Sequence, residues 1–195
     1  MKRIWGLLSV LLISSSAFAA DYTVDADHSE IGFKVRHMGI SSVAGRFLKV
    51  DGSFSFDPKN IAASKAQATI AADSVDTQQT KRDDHLRTPD FFDTKSHPQI
   101  TFVSKEIKDV DGTSFKVLGD LTIRGQTKPV VLDATYNGTT IDPWGNERVG
   151  FEAEAKIDRK DWGITWNKLL DSGGLVVGNE VKIVLQVEGV RKKAA

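Results

Sequence analysis

Along most of the chain, apolar and polar residues alternate in steps of two. Ile31, Phe33, Val35 and His37 alternate with Gly32, Lys34 and Arg36. Phe54 and Phe56 are set among Ser53, Ser55 and Asp57, and Ala66, Ala68, Ile70 and Ala72 alternate with Gln67, Thr69 and Ala71. Ile100 and Phe102 lead into Ser104. Phe115, Val117, Gly119, Leu121 and Ile123 alternate with Lys116, Leu118, Asp120 and Thr122. Val130, Leu132, Ala134 and Tyr136 form a further set, as do Val149, Phe151, Ala153, Ala155 and Ile157, and finally Val181, Ile183, Leu185 and Val187. A strand sends successive side chains to opposite faces, so this period predicts eight strands, each with one dry and one wet face.

The punctuation between the runs is that of hairpins. Asp111-Gly112 and Arg124-Gly125-Gln126 separate alternating runs closely enough for tight turns. Asn137-Gly138 is expected to end a strand, and Asp142-Pro143-Trp144-Gly145 reads as a turn-rich loop. One stretch, residues 80–93 (TKRDDHLRTPDFFD), lacks the period of two. It predicts a short helix over 81–87 that ends before Pro89 and plugs or flanks one end of the fold, with Phe91 and Phe92 turned inward. Strands joined by short turns are antiparallel. They either stack as a sandwich or close as a barrel, and sequential hairpins favour the barrel. The expected fold is therefore all-β, an eight-stranded antiparallel barrel in preference to a sandwich, with a short helix between strands. A barrel of that size is just wide enough to hold one small ligand.

The first residues belong to a different plan. Lys2 and Arg3 precede an apolar run of ten residues over 4–13, and Ala17-Phe18-Ala19 offers a small-residue cleavage site. That order reads as a secretory signal peptide over 1–19, cut after Ala19, with one domain over 20–195. The run is half the roughly 20 residues that a spanning helix needs. The 195-residue chain carries 26 basic and 26 acidic residues and no cysteine. Without Lys2 and Arg3 the balance is 24 to 26, far from the basic surplus of a nucleic-acid binder. Cysteine chemistry, disulfides and cysteine metal sites are excluded outright.

Five fragments in order carry a resemblance. They are His28-Ser29 with Gly32-Phe33-Lys34-Val35-Arg36-His37-Met38-Gly39 and Gly45-Arg46-Phe47; then Asp83-Asp84-His85-Leu86-Arg87-Thr88-Pro89-Asp90-Phe91-Phe92-Asp93 with Pro98 and Phe102. Next come Gly119-Asp120-Leu121-Thr122-Ile123-Arg124-Gly125-Gln126-Thr127-Lys128-Pro129-Val130, then Gly150-Phe151 with Ile157-Asp158-Arg159-Lys160-Asp161-Trp162-Gly163, and last Val177-Gly178 with Val181. Together they resemble the YceI-like family of exported, lipocalin-like, polyisoprenoid-binding proteins. The resemblance implies a barrel with a deep apolar tunnel, a periplasmic location, and ligands such as polyprenyl phosphates, isoprenoid quinones or fatty-acid derivatives. It implies no catalytic residue. Trp162 departs from it, since phenylalanine is common there, and would change the pocket width if it points inward.

The ligand-binding residues expected on the inward face are Ile31, Phe33, Val35, Phe54, Phe56, Ile70, Phe102, Leu121, Ile123, Phe151 and Ile157, with Phe115 beside them. Parity assigns them to the dry face; the resemblance makes that face hollow. For a polar head, His37, Arg46, Arg87 and Lys168 are candidate cations, and Trp166 and Asn167 are candidate donors. His28, His37, His85 and His97 show no metal-ligand spacing, so no metal is expected. Asp83-Asp84-His85 offers acid and base types, but neighbours on a helix do not face one another. There is no G-x-S-x-G elbow, P-loop or G-x-G-x-x-G fingerprint. The expectation is a non-enzyme with no cofactor beyond a bound isoprenoid lipid or other long-chain amphiphile. Its partners are that lipid and a membrane as donor or acceptor, with no nucleic acid and a homodimer left open. A fatty-acid or fatty-amide binder of the same shape, an enzyme acting on such a lipid, and a solid-core interaction protein are the competing readings.

Overall fold

The computed structural model describes residues 19–171 and 173–191, so the signal peptide expected over 1–19 lies almost wholly outside the described residues. The alternating runs become strands: β1 (Ala20–Val24), β2 (Glu30–His37), β3 (Ser41–Phe47), β4 (Val50–Phe56), β5 (Lys65–Ala71) and β6 (Val75–Asp76). After the helix α1 (Thr80–Leu86) come β7 (Gln99–Asp111), β8 (Ser114–Ile123), β9 (Gln126–Ile141), β10 (Glu147–Asp158) and β11 (Val177–Arg191). Every pairing is antiparallel.

The strands close into a ring. The order β1-β4-β5-β7-β8-β9-β10-β11 returns to β1 through Thr23↔Val190 and Val24↔Gly189. Along the same edge of β11, β2 pairs from Gln186↔Glu30 to Val177↔His37. β1 and β2 are thus one bent stave, broken by a 3-10 turn at Ala26–His28 that Asp25 caps. β3 and β4 form a second bent stave, so the expected eight-stave barrel is present. The β1–β11 pairing covers the edges that those two strands would otherwise expose.

Three strands have no clear alternation in the sequence. β6 is two residues long, and β1 buries only Tyr22. In β3 the inward positions are Val43, Gly45 and Phe47, and the glycine interrupts the apolar pattern. Its missing side chain is filled from across the pair: Phe33 is register partner to Gly45, and a Cβ there would lie 2.4 Å from the Phe33 ring. The same device recurs at Gly119 under Phe102 and Gly189 under Phe54. A ring seated on a strand glycine fixes the rotamer of the aromatic and lets the barrel bend sharply.

The turns follow the sequence with two corrections. Arg124 and Gly125, at φ 50° and 70°, form the two-residue β8–β9 turn, the backbone hand that suits a twisted hairpin. The β7–β8 turn is Gly112-Thr113, one residue later than the Asp111-Gly112 pair. Asn137-Gly138 does not end a strand. β9 runs on to Ile141, and the register jumps from Gly150↔Gly138 to Phe151↔Tyr136, making Asn137 the extra residue of a β-bulge. The signal for a tight turn and that for a bulge overlap here, because both use a positive φ, which Gly138 supplies at 131°.

α1 lies against the barrel, as the aperiodic stretch predicts. Gln79 caps its first turn by accepting from the Arg82 amide, and Asp83, buried, accepts from the Thr77 amide at 2.9 Å and from its hydroxyl. Arg87 donates to the carbonyls of Asp73 and Val75. Phe91 is buried and Phe92 partly so, both turned toward the interior. The core divides into two clusters. One contains Tyr22, Phe56, Phe115 and Val149; the other contains Ile70, Phe91, Ile100, Leu121 and Trp162.

Candidate functional site

Inside the ring lies a cavity of about 480 Å³ with an almost wholly apolar wall. Such a volume is within the range of ligand pockets, about 300–1,000 Å³. A solid core is therefore ruled out for this barrel. Every inward residue expected from parity is on the wall. β2 supplies Ile31, Phe33 and Val35; β4 supplies Phe54 and Phe56; β5 supplies Ile70; and β7 supplies Phe102. β8 adds Phe115, Leu121 and Ile123, and β10 adds Phe151 and Ile157. Phe56, Ile70, Phe115, Leu121 and Ile123 are buried, whereas Ile31, Phe33, Val35, Phe54, Phe102, Phe151 and Ile157 are only partly so.

Aromatic contacts organise both clusters. Phe151 meets the edges of Phe54 and Phe56 at 5.5 and 4.8 Å between centroids, and Tyr22 stacks on Phe54 at 5.3 Å. In the other cluster Phe47 meets Phe92 edge-on at 5.5 Å, and Phe91 and His85 both face Trp166. Trp162 points inward, is 2% exposed, and donates from Nε1 to the Leu121 carbonyl at 3.1 Å. The larger ring at this position fills space in the wall that a phenylalanine would leave open.

Many wall residues are absent from the sequence-based set, among them Val130 and Leu132 on β9, Ile183 and Leu185 on β11, and three further groups. Val43 and Phe47 sit on β3, whose alternation the glycine hides. Leu86 comes from the aperiodic segment, together with Phe91 and Phe92, whose inward turn is expected but which are not in the ligand-binding set. Arg159 could have been found: the inward parity of Val149, Phe151, Ala153, Ala155 and Ile157 carried two residues further lands on it. It is 4% exposed and donates to the carbonyls of Gly178 (2.9 Å) and Ile164 (2.7 Å), with a longer contact to Val177 (3.5 Å). Burial pulls its pKa below the ordinary arginine value, opposed by neighbouring Asp158.

The head-group candidates separate. His37 and Trp166 are on the cavity wall. Arg46 pairs with Asp76 on the exposed side, and Arg87 pairs with Asp84. Asn167 is occupied with the backbone of Val177, and Lys168 is exposed, off the wall. Asp83, Asp84 and His85 turn to Thr77, Arg87 and Asp90 respectively, so the structure does not assemble them into one centre.

The four histidines also lie apart. His37 is on the cavity wall, His85 bonds Asp90 at 2.8 Å, His97 lies against Gly125, and His28 bonds Asp25 at 3.0 Å. Asp25, His28 and Glu188 are close enough together to ligate a cation. The positive charge there is supplied by Arg148, whose Nη1 contacts Asp25 at 2.7 Å and also Glu188, while its Nε reaches Asp142 at 3.0 Å. Burial disfavours the Asp25 carboxylate, but hydrogen bonds from Arg148 and His28 outweigh it and hold the carboxyl below its usual range.

A closed antiparallel ring of eight staves around an apolar hollow defines the lipocalin-like class of barrels. Comparison narrows the class. The YceI-like domain matches residues 22–189, and Protein YceI of Escherichia coli O6:H1 (strain CFT073) is 45% identical over 98% of this chain and 99% of its own. The chain belongs to the YceI-like family. The crystal structure of Burkholderia cenocepacia BcnA superposes with a TM-score of 0.75 at 28% identity, covering 85% of this chain and 98% of that one. A polyisoprenoid-binding domain from Saccharophagus degradans, implicated in plant cell wall breakdown, shares the fold with a TM-score of 0.61 at 17% identity. It covers 88% of this chain and 98% of its own.

Proposed function

We propose that this protein binds a long apolar lipid inside its barrel and carries or sequesters it without covalent chemistry. The observation that carries the reading is the cavity of about 480 Å³ lined by aromatic and aliphatic side chains. Burying apolar surface contributes about 25 cal/mol per Å², or about 0.8 kcal/mol for each CH₂, before the cost of ordering the chain is subtracted. An isoprenoid chain, as a polyprenyl phosphate or an isoprenoid quinone, is the first choice. The polyisoprenoid-binding function of the S. degradans relative in fold supports it. A fatty acid or fatty amide is the second choice, distinguished by the branching of the bound chain. The wall residues of β2, β4, β5, β7, β8 and β10 are the proposed ligand contacts.

The basic-apolar-small order over 1–19 supports export to the periplasm with cleavage after Ala19, and hence a membrane as lipid donor or acceptor. Fractionation with N-terminal sequencing tests the location. For the ligand, protein purified from its native compartment is extracted with organic solvent and the extract read by mass spectrometry. A stoichiometric isoprenoid is the expected result. Protein that yields no lipid and takes up neither polyprenyl nor quinone lipids would sink the carrier reading.

A further inference from the structure

We infer that the cavity contains an anion subsite built on Arg159, so that its ligand is an amphiphile with an anionic head, a phosphate or a carboxylate, set against this guanidinium. The inference rests on the reading of the cavity as a lipid site and specifies the ligand class.

Three observations converge. The first is burial without an ion pair. Arg159 is 4% exposed, and no carboxylate lies within ion-pair distance of it among the described residues. Its acceptors are the carbonyls of Gly178, Ile164 and Val177. A buried charge is costly unless it is paired, and carbonyl dipoles orient a guanidinium without neutralising it.

The second is spare donor capacity. A guanidinium has five N–H groups. The three bonds use one from each nitrogen, which leaves one on each terminal nitrogen with no protein acceptor among the described residues. Spare guanidinium N–H groups are donors of the kind that binds phosphate or carboxylate oxygens.

The third is the sign of the wall. His37, Arg82, His85 and Arg159 border the cavity, and among the described residues no aspartate or glutamate does. His37 is register partner to Val177, whose carbonyl Arg159 contacts, so a basic side chain and the guanidinium adjoin one residue. Arg82 is held in place by the Thr77 hydroxyl at 2.7 Å and carbonyl at 2.8 Å, again with no carboxylate. A neutral head would require none of this one-signed lining.

The test compares heads on identical tails. Delipidated protein is titrated with geranylgeranyl phosphate against geranylgeraniol, and with palmitate against palmitamide. The phosphate is expected to bind at least tenfold tighter than the alcohol, and Arg159→Gln is expected to cut that ratio at least fivefold. A matching preference for palmitate extends the subsite to carboxylates; a preference confined to phosphate narrows it to that anion. Equal affinities within both pairs overturn the inference, as does a preference unchanged in folded Arg159→Gln. Should that variant not fold, the ¹⁵Nε–H resonance of Arg159 in the unaltered protein answers the same question. It is expected to move with the phosphate ligand and not with the alcohol, and an identical response to both overturns the subsite. If none of the four compounds binds, it is the lipid-site reading that fails, not the anion subsite.

Discussion

A side chain as small as a methyl group is too large at Gly119. A Cβ there would stand 2.5 Å from the Phe102 ring and 2.6 Å from the Val103 carbonyl oxygen. The ring could swing aside, but the backbone oxygen cannot. Gly119→Ala is therefore expected to destabilise the barrel by about 1–3 kcal/mol, the usual cost of overpacking, read as a lower urea midpoint with an unchanged slope. Asp142 is sensitive to pH instead. Burial resists its charge, but hydrogen bonds from the Asn146 side chain and amide, from Arg148 and from the Trp144 amide bring its carboxyl from 3.8 down to about 2. The unfolded chain takes up this proton first as the pH falls. The contribution of Asp142 is thus fully present above about pH 4 and is lost as the pH drops toward 2. Asp142→Asn should be less stable than the unaltered protein at pH 7, and urea unfolding at successive pH values should show the gap closing across that acid window.

Among the elements, α1 depends most on a single contact. Seven residues cannot hold a helix in water on propensity alone. Asp83 ties it to the barrel by accepting from both the amide and the hydroxyl of Thr77. Asp83→Ala leaves a buried amide without a partner and is expected to cost about 1–3 kcal/mol. Hydrogen exchange should show the loss concentrated in Thr80–Leu86. Uniform loss of protection across the barrel would contradict a local tether. At the opposite extreme, β11 is the longest shared edge, serving β10 on one side and both β1 and β2 on the other.

For the molecule as a whole, the hollow is the consequential feature. Ala153 faces it from β10, beside Ala134 on the adjacent β9, and two neighbouring alanines leave the lumen wide along this stretch of wall. Ala153→Phe is expected to lower lipid uptake at least tenfold while the melting temperature holds or rises, because filling a cavity adds contacts. The measurement is the lipid-to-protein ratio by mass spectrometry beside thermal unfolding. Undiminished uptake by a folded variant would place the ligand elsewhere.

The alternation of apolar residues by itself determined the all-β class, antiparallel hairpins and the parity of the twelve inward side chains, because the pleat of a strand is a local property. The lost period and Pro89 placed a helix over 81–87, one residue from the observed Thr80–Leu86. Three things were decided only in three dimensions. Gly45 belongs to an inward face because the Phe33 ring from the neighbouring strand occupies its missing side chain. Asn137-Gly138 became a bulge because β10 continues past it, and a local turn signal carries no information about the partner strand. Closure came last: β11 had to be long enough to pair with β1 at one end and β2 at the other. Only that long-range pairing converts a dry face into an enclosed hollow, with a guanidinium held on its inner wall.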